Sequence, residues 1–224
     1  MSVSLEMNDG VAVITLDDGK ANAVGFDLLD GLEPVLDEAE GSGSAVVIAG
    51  RPGVFCAGFD LKVLQSGDQQ LTSRLRHRGA SMISRLYGFP RPIIAASTGH
   101  ALALGALWLL AFDNRIGAAG DYKYGLNETA IGRELPEFGT TIAQQRLAPN
   151  HLTAAVIQSR IYDPEGAIQA GFLDMVVPAD QVLATALATA KQLEELPADA
   201  YAKTKRRLRA NTLAELERVI PTPA

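Results

Sequence analysis

The sequence predicts a single α/β domain that ends in a helical region. Two patterns point to it: short apolar runs alternate with stretches of helical period through about residue 125, and from about residue 137 the pattern is mostly helical. A third observation is an absence, since no repeat, low-complexity tract or Gly/Ser/Pro-rich linker divides the 224 residues. With 47% hydrophobic and 21% charged residues, a chain of this length can bury a core without disulfides or metal staples.

The elements follow in order. Val3 and Leu5, then Val11 and Val13, alternate on either side of Asn8-Asp9-Gly10, and an Asp-Gly step between alternating runs predicts an antiparallel hairpin. Phe26, Leu28, Leu29, Leu32, Val35, Leu36 and Ala39 recur at helical spacing, with Pro34 predicting a kink or a late start. Ala45 to Ala49 and Pro92 to Ala96 read as fully buried strands. A buried helix is expected from about 101 to 112, then a strand around Arg115 to Ala118. The extended run Phe172 to Val177, closed by Pro178, interrupts the later helices and places the boundary between a core, 1–178, and a helical C-terminal region, 179–224.

Charge and composition exclude several functions. Twenty basic and 26 acidic residues give a net charge of −6, so no global positive field exists to hold a nucleic-acid backbone. The lone Cys56 cannot form an internal disulfide, and with three histidines it leaves little for a metal cage, so no metal is expected and a reducing cytoplasm fits. The first ten residues lack a basic stretch followed by an apolar one, so no secretory signal is expected. The longest apolar run, Ala101 to Phe112, is too short to span a bilayer, and no membrane partner is expected.

Three segments can carry chemistry. Phe55-Cys56-Ala57-Gly58-Phe59-Asp60-Leu61 follows a buried strand, and its glycine lets backbone approach a ligand, with the Phe59 amide as donor. Alone, such a step is usually only a turn. Gly99-His100-Ala101-Leu102-Ala103-Leu104-Gly105 makes a second strand-to-helix opening, and two openings in one sheet can aim two amides at one oxygen. Gly125-Leu126-Asn127-Glu128-Thr129 sets one carboxylate among apolar and small residues, where burial would raise its pKa toward that of a useful base. An isolated glutamate is otherwise most often a surface residue.

These segments, together with Asn22-Ala23, Asp113 and Gly132, resemble in order and spacing the crotonase superfamily, the enoyl-CoA hydratase/isomerase group. The resemblance covers roughly residues 10 to 205. It implies a spiral of ββα units with a helical C-terminal region, assembly as a homotrimer or a dimer of trimers, and an acyl-CoA thioester as ligand. It implies no separate cofactor, the CoA being part of the substrate. Carried over residue by residue, the amides of Phe59 and Leu104 would hold the thioester oxygen, with Gly58 a glycine because a side chain would crowd the thioester. Ala21, Ala57, Asp60 and Leu61 would line the CoA groove, while Lys62 and the stretch from Arg74 to Arg78 would meet its phosphates.

The carboxylates decide which reaction is expected. Hydratases of this group carry two glutamates, and the first position here is Leu107. The second is Glu128, in a Gly-Leu-Asn-Glu-Thr string similar to that of Δ3,Δ2-enoyl-CoA isomerases, with Asn127 shaping the pocket or contacting substrate. The resemblance thus implies a 3-enoyl-CoA to 2-enoyl-CoA isomerase. The alternatives are an enoyl-CoA hydratase, with Glu134 as a relocated second carboxylate, or a weakly active acyl-CoA-binding protein. The usual Gly-Gly pair of the second motif is Ala103-Leu104 here, and the chain stops early against its relatives, which puts pocket closure in question. His100, Cys56 and Trp108 read as structural, Asp113 as a backbone-bonding helix end, Glu134 as a surface residue, and the basic run Lys203 to Arg209 as a solvated helix face.

Overall fold

The computed structural model describes residues 2–222. The chain opens with β1 (Val3–Asn8) and β2 (Val11–Leu16), paired antiparallel. Asp9 and Gly10 between them take φ +48° and +90°, the two positive angles of the turn whose twist matches a right-handed strand pair. Helix α1 (Phe26–Ser42) follows and continues through Pro34, which removes one hydrogen bond from its ladder without ending it.

Three ββα units come next. The first is β3 (Val46–Ala49), β4 (Gly53–Cys56), the short α2 (Leu61–Leu64) and α3 (Gln69–Gly88). The second is β5 (Ile93–Ser97), β6 (Gly99–Leu102) and α4 (Leu104–Ala111). The third is β7 (Asn114–Ala118), β8 (Tyr124–Gly125), a 3-10 turn at Thr129–Ile131 and α5 (Glu137–Arg146). In each unit the first strand joins a six-stranded sheet of order β1-β2-β3-β5-β7-β9, and the second joins a three-stranded sheet of order β4-β6-β8. This is the expected spiral. The remaining elements are α6 (Pro149–Leu152), a π-turn at Thr153–Ile157, α7 (Pro164–Ala170), β9 (Met175–Val177), α8 (Val182–Glu194) and α9 (Ala198–Val219).

The central strands β2, β3 and β5 are buried on both faces, which explains their nearly unbroken apolar runs. On one face α8 packs Val182, Ala186 and Ala190 against Val47, Ile94 and Ile116. On the other, α1, α3 and α4 close the main core around Trp108, Phe55, Phe112 and Leu29.

Three sequence expectations need correction. The run read as a helix from about 101 to 112 is strand through Leu102 and helix only from Leu104, because an all-apolar segment carries no period to separate buried strand from buried helix. The extended run is confined to Met175–Val177, since Phe172 and Leu173 are buried at the end of α7. The basic run is not uniformly solvated: Lys205 and Arg209 are buried and reach the Asp113 carboxylate at 2.7 and 2.9 Å. Asp113 does accept a backbone N–H, that of Ile93 at 3.0 Å, but it also accepts the Tyr201 hydroxyl at 2.7 Å, so it anchors α9. Burial pushes the Lys205 ammonium down to about 8, against the raising effect of Asp113.

Candidate active site

The small sheet assembles the site. Its strands are parallel, with Cys56 opposite Ala101 and Ala101 opposite Tyr124, so all three end at one edge. Segments far apart in sequence therefore leave that edge together: Ala57 to Asp60 after β4, Ala103 to Gly105 after β6, and Leu126 to Glu128 after β8. A crevice beyond the carboxyl ends of parallel strands is the usual place for a ligand in such sheets.

The first loop is held by its backbone. Val24 donates to Gly58 O at 2.8 Å and accepts from Asp60 N at 3.0 Å. These bonds flank Phe59, so its own N–H points to the opposite side, away from Val24. Ala57 N donates to Ala21 O at 3.1 Å, and Asn22, fully buried, donates its side-chain amide to Leu16 O and Phe55 O at 2.8 and 3.1 Å. Asp60 caps α2 by accepting from Lys62 N at 2.8 Å, while Leu61 and Lys62 are exposed beside it.

The second loop meets the first at Gly58. That residue takes φ +94°, and a Cβ on it would stand 2.9 Å from the Ala103 methyl and 3.5 Å from Leu104 N. Leu104 is the first residue of α4, so its N–H has no partner within the helix. Among the described residues, neither Phe59 N nor Leu104 N donates a hydrogen bond to another group. Gly105 sits so close to β4 that a Cβ would fall 2.2 Å from Cys56 O, which leaves no residue but glycine there.

The third loop is tied to the second by Ala103 N donating to Gly125 O at 3.0 Å. Three residues on, Glu128 is largely buried, its Oε2 is sheltered from water and forms no hydrogen bond within the described chain. Burial raises its pKa above the ordinary 4.5. Asn127 beside it has a sheltered and equally unpartnered Oδ1. Leu107 faces Leu135 and Gly139 in an apolar packing, so the helix position where the sequence resemblance would expect a second carboxylate in a hydratase offers neither charge nor hydrogen bond.

Other candidates sort themselves by their contacts. Glu134 is exposed. His100 accepts from Lys123 N at 2.9 Å and lies edge-on to Tyr122, a structural arrangement. The Cys56 thiol is buried and pushed up to about 12 by desolvation, which makes it a poor nucleophile. In the stretch expected to meet phosphates, Arg78 is committed to Asp30 and Glu33 at 2.7 and 3.0 Å, and His77 pairs with Pro221 O at 2.8 Å, leaving Arg74 and Arg76 exposed. Gly79 was not singled out by sequence, yet a Cβ there would lie 2.5 Å from Phe59 Cε1 and 3.0 Å from Leu104 Cδ2. A glycine in the interior of a long helix is the signal that marks it. Two cavities, of about 790 and 480 Å³, lie along α9, away from this edge. Among the described residues, no helix is long and apolar enough to cross a membrane and no cluster of potential metal ligands occurs.

Comparison with known proteins finds relatives of the whole chain. Residues 6–222 match the family model described as enoyl-CoA hydratase/isomerase. A crystal structure of an enoyl-CoA hydratase/isomerase family protein from Pseudomonas syringae superposes with a TM-score of 0.95 at 39% identity, covering 98% of this chain and 95% of that one. Human mitochondrial enoyl-CoA delta isomerase 1 is 29% identical over 211 residues, 92% of this chain and 70% of that protein. A probable enoyl-CoA hydratase of Bacillus subtilis is 37% identical over 144 residues, 62% of this chain and 55% of that protein. The relatives thus carry both reaction names.

Proposed function

Because the chain belongs to the enoyl-CoA hydratase/isomerase family, we propose that it moves the double bond of a 3-enoyl-CoA thioester to the 2-position with one carboxylate as both acid and base. The observation that carries this reading is the contrast between two positions. Glu128 Oε2 is sheltered and unpartnered, while the position from which a second carboxylate would act is Leu107.

The thioester oxygen lies between Phe59 N–H and Leu104 N–H, with the α4 dipole adding to the second donor. Glu128 removes a proton from C2, and the electron pair of that C–H bond spreads through C1 onto the oxygen and through C3 to C4. The same carboxyl returns the proton to C4, giving the conjugated 2-enoyl product with no net gain or loss of atoms. Desolvation suits the carboxylate to this work, because an anion stripped of water binds a proton more tightly. Hydration would require a second group to hold and activate water, and Leu107 can do neither.

Ala21, Ala57, Asp60, Leu61 and Lys62 lie on the same edge and line the path of the CoA moiety, which enters as part of the substrate with no separate cofactor. Asn127 contacts the bound acyl group through its unpartnered carbonyl oxygen. Assembly as a homotrimer or dimer of trimers is part of the same reading. The test is product analysis after incubation with a 3-enoyl-CoA and, separately, with a 2-enoyl-CoA. Conversion of the first without 3-hydroxyacyl-CoA from the second is expected. Hydroxyacyl product would overturn the single-carboxylate mechanism in favour of a hydratase, and binding without any product would favour an acyl-CoA-binding protein.

A further inference from the structure

Four non-glycine residues among those described have positive φ, and Ala103 is the one without a polar side chain to stabilise it. Asp9 and Asn22 belong to the types that tolerate the left-handed region, and Ser159 accepts from Ala130 N at 3.1 Å. Ala103 has φ +51° and ψ −128°, the conformation of the first central residue of a type II′ turn, where glycine is strongly preferred. The surrounding backbone enforces it: Ala103 N donates to Gly125 O and Ala103 O accepts from Leu107 N, both at 3.0 Å. Glycine would adopt this conformation freely, yet the chain carries a methyl group there.

That methyl has a defined place. With ψ −128°, tetrahedral geometry at Cα nearly eclipses Cβ with the nitrogen of Leu104, so the methyl runs beside the Leu104 N–H. Across the gap stands Gly58, whose missing side chain would lie only 2.9 Å away. The methyl therefore fills the volume next to the donors assigned to the thioester oxygen.

We propose that the Ala103 methyl is a specificity-determining wall of this pocket, admitting unbranched acyl thioesters and rejecting those with a substituent at C2. The proposal rests on the acyl-CoA reading above. In an enolate C1, C2 and their substituents are coplanar, so one of the two remaining groups on C2 must lie on the same side as the oxygen. In an unbranched chain that group can be hydrogen. With a 2-methyl substituent it must be carbon, and it then competes with Ala103 for the space beside the oxygen.

The test compares the parent with Ala103→Gly, which removes the wall and relieves the backbone, so that it is expected to melt at or above the parent. Turnover is measured with 3-hexenoyl-CoA and 2-methyl-3-hexenoyl-CoA, and binding with 2-hexenoyl-CoA and 2-methyl-2-hexenoyl-CoA, whose C2 is planar as in the enolate. The parent is expected to favour the unbranched member by roughly 10–100-fold in kcat/KM, the discrimination one methyl group supports in a close pocket. The variant should bring that ratio near unity, and the ratio of dissociation constants should move the same way. A parent without preference, or a preference unchanged in Ala103→Gly, overturns the proposal. If neither form turns over 3-hexenoyl-CoA, the isomerase reading fails, while the binding ratios of the planar 2-enoyl pair still decide the wall.

Discussion

Trp108 donates its indole N–H to the carbonyl of Gly79 at 3.0 Å, which locks α4 against the middle of α3 at a point that has no side chain. The Phe59 ring and the Leu104 side chain converge on that same glycine. Gly79→Ala is expected to force both away and so to separate the two amides they carry. Stability should fall by about 1–3 kcal/mol, as for other overpacked cores. Loss of kcat should exceed the change in KM, and Phe59→Leu in the Gly79→Ala background should restore part of it. Steady-state kinetics and thermal melts of the two variants check this. A uniform KM defect without rescue would assign Gly79 to packing alone.

Glu128→Gln is expected to abolish isomerisation, by about 10²–10⁴-fold or more, while sparing acyl-CoA binding. It should also stabilise the protein at neutral pH. Burial raises the Glu128 pKa in the folded chain, so the folded state holds that proton more tightly than the unfolded state does. The stabilisation is fully present below the unfolded value of about 4.5 and is lost as pH rises through the raised folded value. At pH 7 the ionised carboxylate is therefore a net cost, and its neutral isostere should gain on the order of 1 kcal/mol, a rise of about 2–4 °C in Tm. Calorimetry at pH 4 and pH 7 tests the sign: the gain must be larger at pH 7.

The same shift sets the pH profile. A base must be ionised to take a proton, so kcat/KM of the free enzyme should fall on the acid side with a midpoint above 4.5, the ordinary value from which burial raises it. Rates with 3-hexenoyl-CoA from pH 4 to 8 locate that limb. A midpoint at or below 4.5 would mean that Glu128 titrates as a solvated group.

Asp113→Ala should be among the most destabilising single changes in the chain. It strips the buried Lys205 and Arg209 of their carboxylate and Tyr201 of its acceptor. Removal of one member of a buried ion pair costs about 3–5 kcal/mol. Lys203→Ala, which removes an exposed pair with Asp199, should change stability by less than about 0.5 kcal/mol. Urea unfolding of both variants measures the contrast.

What the sequence disclosed depended on whether the signal was local. The Asp9-Gly10 turn and the 3.6-residue period of α1 are properties of neighbouring residues, and both elements form as expected. The Phe55 to Leu61, Gly99 to Gly105 and Gly125 to Glu128 segments were recognisable as strings. Their convergence depends on the β4-β6-β8 pairing, which no string states. Lys205 and Arg209 are indistinguishable in sequence from the exposed Arg206 and Arg207, because only the seating of α9 on Asp113 decides which face is covered. Gly79 escaped notice because the side chains that require its emptiness lie 20 and 25 positions away, on Phe59 and Leu104.

In the proposed reaction the two donors at the head of the site belong to the main chain, whereas the proton carrier is a side chain. A point mutation can exchange Glu128 or Leu107 for any other residue, but none short of proline can delete the N–H of Phe59 or Leu104. On that reading the capacity to hold a developing oxyanion is inherited by nearly every mutational neighbour of this chain, while the fate of the proton is open to revision one codon at a time. New reactions can arise here by editing the acid and base around an intermediate that the backbone keeps constant.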